Sequence, residues 1–432
     1  MKALVYRLRT HPVYLKAFHW GRFISITGLA QIIVQAVGLA CGILIIRLLS
    51  PHEYALYTLA NTMLTTMTVL AECDISAAVM ARGGRVWDNP ERLSVVLVSG
   101  MKIRRTMGII SLLFVVPIFT YLLYYHGASI WVITLIVLSI IPAFFASLTD
   151  TLLEVPSKLN QDILPLQKNQ VIAGLARLVL TTASLFVFPF AFIAMLASGV
   201  SRIWANIGLR KISTKFVDWN TKSDPGVSKE IISFIKRILP MAIYYSFSGQ
   251  ITIWLISIFG STDSVAEIGA LGRLAAILGL ISVVIGTLVA PRFARLAAER
   301  KILFNRYIVM FTLLIALFLI VILFAWMFAP QVLWVLGENY AGLKFELLLS
   351  IGGSSLALIA GAFYALNSSR GWIMNPIVAV SINIMAIIAG IILLDISTLL
   401  GILEFNILVG IVSVLLHGLY GWFKIRQVSS VA

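Results

Sequence analysis

The chain reads as an all-α integral membrane protein of about twelve transmembrane helices in two six-helix halves, and three observations predict this. Apolar residues make up 60% of the 432 positions and charged ones only 12%, with a mean hydropathy of +0.99. A soluble domain carries about a quarter of its residues as charges, so lipid must face much of this exterior. The apolar residues gather into runs of about twenty, the length an α-helix needs to cross roughly 30 Å of hydrocarbon. The short alternating segments of a membrane β-barrel are not seen. Basic residues cluster between alternate runs, as they do in proteins with a fixed orientation.

The first run, 24–46, follows Lys2, Arg7, Arg9 and Lys16. That start resembles a signal peptide, but the run has full span length and no small-residue cleavage site, so it is expected to stay as the first helix. Spans two to four are expected at 54–80, 107–125 and 129–148. The fifth, 169–188, opens on the polar stretch Gln167-Lys168-Asn169-Gln170, and Phe188-Pro189-Phe190 turns it into the sixth at 190–209. The remaining six are expected at 238–259, 265–290, 308–328, 345–366, 376–394 and 400–423. Trp20, Trp131, Trp326, Trp372 and Trp422 fall near span ends, where an interfacial belt places them.

Of the 33 basic residues, 28 lie in the N-terminus, the C-terminus and the alternate segments 80–106, 149–168, 209–237, 292–307 and 367–375. The opposite loops hold Arg47 and Lys344. The bias predicts both termini in the cytoplasm and an even number of spans. It also argues against nucleic acid as a partner, since the net charge of +15 is spread over many short loops. Cys41 and Cys73 both lie in apolar runs, so neither a disulfide nor a metal framework is implied. No Walker A, Gly-x-Ser-x-Gly or His-Glu-x-x-His motif occurs, and no large aqueous region is left for a catalytic domain. An enzyme is not expected.

Segments 44–82 and 255–295 follow one plan: a span ending in a small-residue turn, a second span, and an Ala-Arg exit at Ala81-Arg82 and Ala294-Arg295. Their offset is about half the chain, and the basic linker 209–237 carries Asp224-Pro225-Gly226 near the middle. Two parallel halves are expected, 1–215 and 216–432, with substrate between them.

The stretch Arg47-Leu48-Leu49-Ser50-Pro51-His52-Glu53-Tyr54-Ala55-Leu56-Tyr57 resembles the R-L-L-G-P-x-E-Y-G-x-Y turn of bacterial polysaccharide exporters. Leu70 to Ala78 is similar to their L-A-D-x-G-L-S-x-A helix end, and Leu336-Gly337-Glu338-Asn339-Tyr340 to their L-F-G-x-x-Y turn. Ser50 and Ala55 stand where Gly is usual, and Asp74 replaces a helix-end Gly. The resemblance is to the Wzx-like oligosaccharide flippases of the multidrug/oligosaccharidyl-lipid/polysaccharide superfamily and covers essentially the whole chain. It implies MATE-like, V-shaped lobes in a bacterial inner membrane. It also implies a flippase for an undecaprenyl-diphosphate-linked oligosaccharide serving O-antigen, capsule or exopolysaccharide synthesis. A polysaccharide polymerase and a chain-length regulator are the protein partners that go with it, besides membrane lipids.

A diphosphate-sugar needs a hydrated cationic path, and Arg177, Arg202 and Arg273 lie within expected spans. Arginine binds phosphate bidentately and stays charged. At the centre of a lipid-facing helix each would cost about 2.5–3.5 kcal/mol, so each is expected to face a cavity or a carboxylate such as Glu72, Asp74 or Glu267. Asn206 and Gln250 are candidates for sugar hydroxyls, with interhelical hydrogen bonding as the competing use. Glu72 and Asp74 are candidates for coupling to H⁺ or Na⁺, the competing reading being a helix-end pair with Arg82 or Arg85. No other cofactor is expected. The alternative function is a cation-coupled multidrug or toxin exporter, whose cavity would favour carboxylates over arginines.

Overall fold

A computed structural model describes residues 12–73, 75–294, 296–297, 299–372 and 374–428. The first half runs α1 (Pro12–Leu48), α2 (Pro51–Glu72), α3 (Ile75–Gly83), α4 (Pro90–Tyr125), α5 (Ile130–Leu159), α6 (Leu164–Val187) and α7 (Ala191–Ser213). The second runs α8 (Pro225–Ser248), α9 (Ile251–Phe259), α10 (Thr262–Ala275), α11 (Gly279–Val284) and α12 (Ala290–Ala294). It continues through α13 (Arg300–Met327), α14 (Ala329–Leu336), α15 (Lys344–Ser369), α16 (Pro376–Leu393) and α17 (Leu399–Gln427). No strand occurs among the described residues. Nine of their helices are long and apolar enough to cross a membrane, and α2 with α3, bent by 41°, makes a tenth. The other two expected spans are helical but interrupted.

Helix starts follow local chemistry. Ser50 Oγ accepts from Glu53 N, Asn89 Oδ1 from Arg92 N, Ser129 Oγ from Val132 N and Ser261 Oγ from Ser264 N. Each satisfies an otherwise orphaned N–H, and Pro51 and Pro90 sit at first helical positions where no donor is lost. Ser50 and Ser261 occupy equivalent places in the sequence repeat. The α2–α3 bend falls at Cys73, whose φ is +39°, a left-handed conformation that ends α2.

The third and fourth spans, α4 and α5, are longer than hydropathy suggests, α4 starting at Pro90 rather than 107 and α5 ending at Leu159 rather than 148. Hydropathy registers only the hydrocarbon crossing, whereas a capped helix runs on into the headgroup layer. Arg92, Lys102, Arg104 and Arg105, expected in a loop, are therefore helical. The seventh span breaks at Gly249–Gln250 between α8 and α9. The eighth passes from α10 through a 3₁₀ turn (Ala276–Leu278), α11 and a π turn (Ile285–Val289) into α12. Pro291 follows that π turn and supplies no N–H for the regular ladder. Arg370 Nη1 donates to the carbonyls of Phe293 and Leu296, satisfying the frayed end of α12.

In the first half α5 packs on α7, α6 on α7 and α1, and α2 on α4; in the second α15 packs on α17 and α13, and α16 on α17. Between the halves α10 lies on α2 and α1, while α8 meets α3 and α4. A Cβ at Gly269 would come within 2.5 Å of Thr58 Oγ1, so α10 approaches α2 as closely as glycine permits.

Candidate functional site

The contact of α2 and α10 carries the first candidate. Tyr54 and Tyr57 are buried on α2, their rings stacked with centroids 6.0 Å apart. Arg273 on α10 lies against them, its guanidinium facing the Tyr54 hydroxyl. Gly42 of α1 closes the other side, since a Cβ there would meet Arg273 Cδ at 3.2 Å. Counted from Thr262, the Cα of Arg273 is about 17 Å down its helix, and its side chain reaches back to Gly42, Tyr54 and Tyr57, about 5–9 Å from the ends of α1 and α2. Among the described residues no carboxylate pairs with it. Glu267, a possible partner by sequence, is set near Asp263 and Glu346 instead.

The end of the seam away from the termini is closed. Arg47 Nε donates to Val335 O at 2.9 Å, Nη2 donates to Trp334 O, and the guanidinium lies 4.6 Å from the Trp334 ring centroid. His126, between α4 and α5, is buried with Nε2 2.8 Å from Ser257 O and Nδ1 3.0 Å from Thr262 Oγ1. Nε2 faces an acceptor, so the neutral ring donates there and accepts at Nδ1. Burial pushes its pKa below the ordinary histidine value; His52 adds to this and the Ser257 bond opposes it. The turns at 47–57 and 334–340 thus meet across the two halves, with Tyr340 buried near Tyr54.

A second set of charges lies within the first half, with α5 at its hub. Arg202 Nε contacts Asp150 Oδ2 at 3.1 Å, and Asn206 Nδ2 donates to Asp150 Oδ1 at 2.6 Å and to Ala146 O. Arg202 and Asn206 are therefore brought together, but around a carboxylate. Glu72 pairs with Arg104 at 3.3 Å and accepts from Ser76 and Thr151, while Arg104 donates to the same two hydroxyls. This corrects the expected pairing of Glu72 with Arg82 or Arg85: Arg82 reaches Glu230 of α8 at 3.3 Å. Glu154 holds Lys158 at 2.7 Å and accepts from Gln170, which in turn accepts from Gln31 of α1. Asp150, Thr151 and Glu154 were not foreseen because the helix was expected to end at 148. Asp74 lies outside the described residues. Arg177 lies one and two turns beyond Gly174 and Gln170, on the face of α6 turned to α1, and its buried Nε has no hydrogen-bond partner.

A third feature is a cavity of about 750 Å³ in the second half, between α8–α9, α15, α16 and α17. Among the described residues its lining carries no Asp, Glu, Lys or Arg and is more apolar than polar, with Thr252, Asn383, Asn406 and Ser413 among its polar groups. Asn406 accepts from Thr252 at 2.6 Å, and Asn383 accepts from Ser413 at 3.0 Å. Gly353 and Gly410 keep α15 and α17 close beside it. Gln250 is half-buried at the α8–α9 break and does not line the cavity.

No protein-family model and no curated protein matches the chain. Solved structures do. A multidrug resistance MATE family transporter of the MOP superfamily, inward-facing, superposes with a TM-score of 0.72 at 14% identity, over 92% of this chain and 96% of that one. An outward-facing multidrug resistance MATE transporter gives 0.62 at 15% identity, over 94% and 95%. A MOP superfamily transporter from Pyrococcus furiosus Vc1, described as having a binding pocket of reversed polarity that suggests a different function, gives 0.63 at 15%, over 94% and 96%. The chain has the MATE-like helical fold.

Proposed function

We propose that the chain is a membrane transporter that moves an anionic lipid-linked oligosaccharide between leaflets. The observation that carries this reading is Arg273: a cation within a membrane span, in the seam between the halves, with no carboxylate partner among the described residues. A cavity for cationic drugs would place carboxylates there, whereas a diphosphate requires a permanent cation with several donors. The second-half cavity agrees with this reading to the extent that it lacks carboxylates among the described residues and presents the amides of Asn383 and Asn406 beside the hydroxyls of Thr252 and Ser413, which suit sugar hydroxyls. Arg177, on the α1 face of α6, would be a second cation on the path. Arg202 and Asn206 hold Asp150 and take part only if that pair opens. Closure at the end away from the termini fits a state that loads from the terminal side, which the charge bias assigns to the cytoplasm.

The deciding experiment deletes the gene in its host. The lipid-linked repeat unit should build up on the cytoplasmic leaflet while surface polysaccharide is lost, and Arg273→Ala should fail to restore it although the protein inserts. The second reading, a multidrug exporter, has the names of the structural neighbours in its favour. Normal polymer with heightened sensitivity to cationic dyes would establish that reading instead.

A further inference from the structure

Helices α4, α5 and α7 do not close against one another along their whole length. A pocket of about 640 Å³ lies among them, bounded on the terminal side by Trp219 and Ser223 of the α7–α8 linker. That linker is held in place by Ser94 and Ser99, which accept from the backbone of Asp218 and Asp224. Trp219 is fixed by a 2.9 Å bond from Nε1 to Ser213 Oγ. The pocket is not on the seam, which α1, α2 and α10 form.

Its lining is sorted by depth. At 1.5 Å per residue from the helix ends away from the termini, Pro142, Phe145 and Ile109 lie about 18–24 Å down. Arg210, Arg105 and Lys102 lie about 28–35 Å down on the same count. With about 30 Å of hydrocarbon, the three cations stand at the headgroup layer and the apolar side chains at the level of lipid tails. Lys102, Arg105 and Arg210 come from two helices, are exposed, and form no ion pair among the described residues. The carboxylates of the linker are otherwise engaged: Asp218 accepts from Asn220 N and Asp224 from Val227 N. Asp150, beside the pocket, holds Arg202.

We propose that this pocket is a binding site for an anionic phospholipid, with phosphate held among Lys102, Arg105 and Arg210 and an acyl chain lying along Ile109 and Phe145. Three cations without an ion pair among the described residues, set over an apolar floor, complement a phosphate carried on a hydrocarbon chain. Basic pockets between membrane helices are suited to headgroups with more than one phosphate. The site is separate from the Arg273 seam, touches the proposed path only at Asn206 in its wall, and stands whichever substrate is carried.

The test uses the full chain in nanodiscs of phosphatidylethanolamine with and without cardiolipin, and native mass spectrometry counts retained cardiolipin. The K102Q/R105Q/R210Q variant should lose about a hundredfold in apparent affinity, at about a kilocalorie per cation. A control with three exposed cations removed outside the pocket, R92Q/K229Q/K301Q, should stay within about twofold. Ile109→Trp, which keeps every cation but fills the floor, should also lose cardiolipin, and excess inorganic phosphate should not displace the lipid. Melting temperatures confirm that each variant is folded. Equal losses in pocket and control variants would reduce the site to diffuse surface charge. Displacement by inorganic phosphate, or full retention by Ile109→Trp, would exclude a lipid site.

Discussion

Arg273 and Arg104 are both arginines within apolar surroundings, and the structure separates them by their partners. Arg104 is wholly buried and meets Glu72, Ser76 and Thr151, so its charge is accounted for. Glu72→Gln would leave it buried without a counter-charge, which costs about 3–5 kcal/mol. A marked fall in melting temperature in detergent is the expected outcome, largely restored in the E72Q/R104M double variant. A carboxylate in that role can couple an ion only by releasing Arg104, which sets a high threshold for Glu72 as a coupling site. Arg273 has tyrosines instead of a carboxylate, so its removal should spare stability and remove transport. Arg273→Lys, which keeps charge but loses the planar fork, should retain only part of the transport of a reconstituted substrate. Arg273 was legible from the sequence because it interrupts an apolar run. Arg104 was not: it neighbours Lys102 and Arg105 at the run's edge, and three basic residues together read as a loop.

At the scale of elements, the informative feature is the set of turns that meet at the closed end. Arg47, which ends α1, grips the last turn of α14, and His126 reaches from the α4–α5 turn to α9 and α10. His126 is buried here and would be hydrated once the halves part, so its pKa is lower in the closed state than in the open one. The closed contact is therefore complete above the ordinary histidine pKa and weakens as pH falls through it, because the open state then binds the proton more readily. The groups facing the ring are His52, Tyr125, Thr262 and the Ser257 carbonyl. Spin labels attached at Ser129 and Ser261 should report a larger mean separation at pH 5 than at pH 8. His126→Gln should remove that dependence. Most spans of the second half were legible as apolar runs, with 376–394 seen as Pro376–Leu393. The 3₁₀ and π turns of the eighth span were not, because hydropathy is blind to which carbonyl an N–H reaches.

For the whole molecule, composition and run length were enough to place the chain among helical membrane proteins, and the resemblance carried by the turns at 47–57 and 336–340 supplied the MATE-like class. The position of the seam needed three dimensions, since Arg47 and Trp334 are 287 residues apart. On the proposed function the halves rock about that seam, and their construction predicts unequal compliance. α5 ties α1, α2, α4, α6 and α7 together through Asp150, Thr151 and Glu154 and their partners, so the first half should turn like a stiff lever. The eighth span of the second half changes helical pitch twice between Ala276 and Val289, and such turns have poorer hydrogen-bond geometry than an α-helix. It should therefore yield before the first half does. Amide hydrogen exchange should accordingly be fast over 276–289 and slow along α5, and a ligand that locks the seam should quiet the former while leaving the latter unchanged.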